Sequence, residues 1–318
     1  MTEQDSAIHS SAITVRSDIR GDIRSDFRGD THGGIRGGTV LAALGVVSFS
    51  LSFPATVWAL EGFGPWTATG VRGLLAGLLA TACLLGSRVP VPARRHWPGL
   101  LTVAAGCAIG FPLLTTLALQ TSTTAHSAVV VGMLPLATAA VSSALTGRRP
   151  SRGFWVAAVL GALTVAAFTL QQSHGLPTLG DAYLFGALLA CAAGYAQGGR
   201  LASHMPGWQV IAWGVVAALP VSALVTALSL PWEPVHLTTK AVVGTAYIAA
   251  VSQFGGFVLW YRGMAAIGVP KASQIQLAQP LITLVWSVLL MGERLAPLAA
   301  VTALIVLGCI VVTQRARG

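Results

Sequence analysis

A chain of 318 residues, 54% of them hydrophobic and 9% charged, with a mean hydropathy of +0.73, departs from soluble domains, in which about a quarter of residues are charged. That composition excludes an ordinary soluble enzyme or binding module and describes an integral membrane protein. The net charge of +9 and the pI near 10.3 do not imply nucleic acid, because the basic residues flank apolar runs instead of clustering on one face.

Residues 1–36 read as a disordered cytoplasmic tail. Its echo of Ser17-Asp18-Ile19-Arg20, Gly21-Asp22-Ile23-Arg24 and Ser25-Asp26-Phe27-Arg28 mixes charge and glycine, which prevents a packed core, and it holds no apolar stretch of signal-peptide length. Ile19, Ile23 and Phe27 have a helical period, but the glycines disfavour a surface-binding helix.

Ten apolar segments follow, at 38–60, 67–86, 98–119, 125–146, 153–170, 181–199, 207–230, 240–261, 270–291 and 295–313. Their length and continuity fit membrane-spanning helices, each needing about 20 residues, and not strands. Between them lie turn signals such as Gly62-Phe63-Gly64-Pro65, Pro90-Val91-Pro92 and Pro231-Trp232-Glu233-Pro234. Arg16, Arg20, Arg24, Arg28 and Arg36 in the tail, Arg88, Arg94 and Arg95 after the second segment, and Arg148, Arg149 and Arg152 after the fourth fall in alternate connections and so on one side of the membrane, which assigns both termini to the cytoplasm. The four cysteines, Cys83, Cys107, Cys191 and Cys309, sit inside apolar runs without metal-site or disulfide spacing, and no metal or cofactor is expected.

An internal repeat carries the most information. Pro135-Leu136-Ala137-Thr138, Ser142, Leu145 and Gly147 recur as Pro280-Leu281-Ile282-Thr283, Ser287, Leu290 and Gly292, at a constant offset of 145 residues. Five segments fit in that offset, so the two copies enter the membrane in opposite senses: an all-α protein of about ten spans, built as inverted five-helix repeats over 37–170 and 181–314.

These residues resemble the EamA type of the drug/metabolite transporter superfamily. Arg72 is similar to the family's arginine early in the second span, Pro135 and Pro280 to its helix-four and helix-nine prolines, and Gly292-Glu293 to its Gly-Glu ending helix nine. The run Trp260-Tyr261-Arg262-Gly263, with Lys271-Ala272-Ser273-Gln274 and Leu277-Ala278-Gln279-Pro280, is similar to a bacterial subgroup, and the likeness covers about residues 40–313. Gly147-Arg148 departs from the pattern where Gly-Glu is frequent. The resemblance implies a central cavity lined by helices 1, 3, 4, 6, 8 and 9, alternating access, and export or uptake of amino acids, metabolites or drugs.

Polar groups inside spans are the natural solute-binding candidates, because each is costly in hydrocarbon unless it meets a cavity or a partner. Ser273, Gln276 and Pro280 share a helical face, with Gln279 beside it. Either this face lines a solute path or its bonds join helices. His126 either titrates or sits hydrogen-bonded at the interface, and Lys271, its repeat partner, either attracts a carboxylate or snorkels. Tyr195, Gln197, Gln253 and Trp260 complete the candidates. Arg72, Pro135, Pro280 and Glu293 are assigned structural or gating roles, Arg72 pairing with an acidic side chain such as Glu61 or Asp181, with a carbonyl, or with lipid phosphate.

The spans lack Asp or Glu away from their ends, which raises facilitated exchange or export over coupling through a buried carboxylate. No HExxH, GxSxG or GxxxxGK[ST] pattern occurs, so neither an intramembrane enzyme nor an ATP-driven pump is expected. The alternative to a carrier is a non-transporting scaffold. Expected partners are the bilayer and a small solute, zwitterionic or amphipathic in preference to phosphorylated, and the sequence leaves oligomeric state open.

Overall fold

A computed structural model describes residues 31–147, 151–172, 178–267, 275, 276, 278–294 and 297–315. The tail reading at 1–30, the departure at Arg148, and the candidates Lys271 and Ser273 fall outside them. Among the described residues, seven helices are long and apolar enough to cross a membrane: α1 (Arg36–Leu60), α2 (Pro65–Gly86), α3 (Arg94–Ala118), α4 (Thr124–Leu145), α6 (Leu179–Leu201), α7 (Gly207–Ser229) and α8 (Thr239–Met264). Three more helices, α5 (Arg152–Gln172), α9 (Ala278–Met291) and α10 (Pro297–Arg315), carry shorter apolar stretches. Among the described residues there are no strands, and the isolated bridge Phe63–Val235 joins two connecting segments. Helical backbone is already present at Thr31, where the described residues start, ahead of the expected boundary at 37.

Small residues set the closest crossings. A Cβ on Gly70 or Gly73 of α2 would fall 2.5 Å from Thr226 Oγ1 or 2.3 Å from Ser222 Oγ on α7, so glycine lets these two backbones approach. Elsewhere Leu78, Leu79 and Leu85 on α2 and Leu224 and Leu228 on α7 remain exposed, as lipid-facing side chains would.

Proline interrupts helices near the middle of the bundle. Pro54 has no N–H for the carbonyl of Ser50, and α1 loosens into a turn at Leu51. That carbonyl instead accepts Thr283 Oγ1 from α9 at 3.0 Å. Pro112 likewise cannot serve the carbonyl of Ala108, which accepts Gln253 Nε2 from α8 at 3.0 Å. Around Ala108, α3 widens to a π-helix over Ala104–Gly110, and α8 does so over Tyr247–Gly255. Shifted by the 145 residues that separate Ala108 from Gln253, the first wide segment falls inside the second.

Candidate functional site

The widened helices face one another across a central cavity of about 60 Å³, room for a few water molecules. Its apolar wall is aromatic: Phe49 and Phe53 from α1, Phe111 from α3 and Phe257 from α8. Phe257 lies 4.7 Å from Phe49 and meets Tyr195 edge-on at 6.2 Å, ring centre to ring centre. Polar groups enter from Arg72, Ser52, Ser252, Gln253, Tyr195, Gln279 and Thr283. A second space of about 40 Å³ shares Phe53, Val131, Leu134, Gln279 and Thr283 with the first and adds Gln276, Pro135 and Pro280.

Arg72 dominates the polar wall. It is the eighth residue of α2, about 10 Å from the helix start at 1.5 Å per residue, and is 5% exposed. Its Nε donates to Gln253 Oε1 and its Nη2 to Ser252 Oγ at 3.4 Å, and Ser252 is joined to Ser52 Oγ at 2.6 Å. This corrects the expected acidic partner: Glu61 bonds Lys240 and Asp181 bonds His126, leaving the guanidinium with neutral acceptors among the described residues. The reason is reach, since Gln253 arrives from a helix 181 residues away, while both carboxylates sit at the helix ends.

Other candidates lie elsewhere. His126 is buried at the start of α4, its Nε2 2.7 Å from Asp181 Oδ1 and its ring stacked on Phe168 at 5.4 Å. Asp181 closes a capping box with Thr178 at the start of α6, so the His126 pair joins two helix N-termini. Gln197 lines a cleft of about 480 Å³ with Arg95, His96, Arg200 and His204, where α3 begins and α6 ends. Trp260 packs on Ala42, Val46 and Phe49 outside both central spaces, as bulky aromatics at helix crossings do.

Glu293 spans the gap between α9 and α4, accepting the Thr124 N–H at 2.7 Å and the Ala125 N–H at 2.9 Å. Glu233 does the same for α2, accepting Thr67 N–H at 2.7 Å and Trp66 N–H at 3.2 Å. Both carboxylates satisfy backbone donors that the first turn of a helix leaves open, at the positive end of its dipole. Sequence reasoning missed Glu233, the Asp181–His126 pair, and Ser52, Ser252 and Thr283. A signal existed for Glu233 alone: Gly64 precedes α2 without a side-chain acceptor, so that N-terminus takes its cap from elsewhere.

Residues 36–170 and 178–314 each match the EamA-like transporter family. Over 278 residues the chain is 39% identical to the uncharacterized transporter YdeK of Bacillus subtilis (strain 168), spanning 87% of this chain and 97% of that one. It is 23% identical over 282 residues to the uncharacterized transporter YwfM of the same organism, spanning 86% and 93%. A solved crystal structure of another protein superposes with a TM-score of 0.61 at 19% identity, covering 87% of this chain and 97% of its own, a likeness of fold.

Proposed function

The chain belongs to the EamA-like transporter family of the drug/metabolite transporter superfamily, and from that premise we propose that this multi-pass membrane protein carries a small organic solute by alternating access, as an exporter. The ten helices then form two inverted repeats, over 37–170 and 181–314, with α5, α9 and α10 completing the spans that length alone does not qualify. The basic end faces the cytoplasm with both termini.

The observation that carries this reading is the central cavity, walled by residues of both halves and placed where prolines and π-turns loosen the helix ladders. Arg72, Tyr195, Gln253, Gln276 and Gln279 form the solute-contacting set. A space of about 60 Å³ is too small for an amino acid, so loading requires widening, for which Pro54, Pro135 and Pro280 provide hinges that have already surrendered a backbone bond. Ser273 and Lys271, outside the described residues, are kept as candidates for the same solute path. His126, Glu293 and the helix ends they tie together act as the outer gate, with Gln197 at the inner mouth and Trp260 as helix packing.

The test is flux in liposomes containing the purified protein, with amino acids, metabolites and cationic drugs assayed with and without a pH gradient, beside Gln279→Ala and Gln276→Ala. The expected result is movement of one solute class, reduced about tenfold in Gln279→Ala. Folded protein that moves no member of the panel contradicts the carrier reading and leaves the non-transporting scaffold.

A further inference from the structure

We infer that the central cavity recognises a carboxylate, with the Arg72 guanidinium as its docking group and the ring of phenylalanines as the seat for an apolar body. This rests on the carrier reading and specifies its substrate class. A fixed positive charge is among the costliest groups to hold at membrane depth, and it persists there only against a counter-charge or a functional need. Arg72 is 5% exposed and its described bonds go to Gln253 and Ser252, which are neutral. They orient the guanidinium without cancelling its charge.

Those partners are themselves held. Gln253 Nε2 is committed to the Ala108 carbonyl at 3.0 Å, which aims Gln253 Oε1 at Arg72 Nε, and Ser252 is steadied by Ser52 at 2.6 Å. The arginine fork is thus fixed on one edge by α8 while it lines the cavity, the preorganisation that recognition of a planar carboxylate exploits. The aromatic walls select against a small inorganic ion: Phe49, Phe53, Phe111 and Phe257 reward an anion that carries hydrocarbon with it. No second described Arg or Lys lines the cavity, so a doubly charged phosphate has less to hold it than a single carboxylate.

The test uses matched pairs that differ in charge at one group: L-phenylalanine with L-phenylalaninamide, and 3-phenylpropanoate with 3-phenylpropanamide. Thermal stabilisation of the full-length protein in detergent reports binding, with sodium chloride as the inorganic control. Expected is stabilisation by both acids and by neither amide, with affinity for the acids falling about tenfold to a hundredfold in Arg72→Gln. Gln253→Glu should abolish the same response by neutralising the guanidinium in place, and it keeps a buried partner for Arg72 should Arg72→Gln fail to fold. Equal responses to acid and amide, an acid response that survives both substitutions, a response to chloride alone, or no response to any of the four compounds each overturns the inference. Liposome flux separates the two failures: transport of neutral or cationic solutes with acids excluded removes carboxylate selection and leaves the carrier, whereas absence of all flux removes the carrier itself.

Discussion

The two ends of the bundle differ in how they are closed. At one end, every described acidic side chain joins two segments: Asp181 to His126, Glu293 to the start of α4, Glu233 to the start of α2, and Glu61 to Lys240. At the other end the described charges are basic, among them Arg88, Arg94, Arg95, Arg152 and Arg200, and a cleft of about 480 Å³ opens between α3 and α6. Helix N-termini with open donors attract carboxylates, so acidic residues at helix ends become cross-links, while like charges at the opposite end supply no attraction to shut it. What separates the two ends is therefore a few carboxylates that cross-link segments, and not the apolar packing common to both.

That comparison can be broken one link at a time. Asp181→Ala removes the acceptor of a buried His126 and half of a capping box, and should cost about 2–4 kcal/mol of stability in a thermal or denaturant melt of the purified protein. Glu293→Ala uncaps α4 and should cost about 1–2 kcal/mol in the same assay, with Glu293→Gln recovering part of it because an amide oxygen still accepts one N–H. Glu61→Ala and Lys240→Ala should each cost at most about 0.5 kcal/mol, and a double-mutant cycle should find little coupling, since both side chains are largely in solvent. At the basic end, Arg95→Ala should leave the melt unchanged, because its described bond is to the neighbouring His96. A loss there as large as that for Glu293→Ala would erase the distinction between the ends.

Much of this was legible in the chain alone. Continuous apolar runs between turn signals locate the helices because lipid demands internally satisfied backbone, and Gln276 and Gln279 stood out as polar groups on an apolar helix. The repeat offset of Pro135 and Pro280 also relates the two π-helical segments, although nothing in their composition predicted a wider turn. The partners of Arg72 were hidden because they depend on which helices meet, and Gln253 is 181 residues distant. Glu293 was read as part of a motif, but its task as a cap for α4 requires knowing that α9 ends where α4 begins. The packing of Trp260 on Ala42, Val46 and Phe49 was hidden for the same reason, since it depends on which helices meet.

The most direct test of the account is the side from which the cavity can be reached, and Cys107 in its wall is a native reporter. With Cys83, Cys191 and Cys309 replaced by serine, a membrane-impermeant thiol reagent would be applied to each face of oriented vesicles. The expected result is that Cys107 reacts from the basic end in the otherwise unaltered protein, and that Asp181→Ala with Glu293→Ala opens labelling from the carboxylate end. Labelling first from the carboxylate end, or no change when both links are removed, would contradict it.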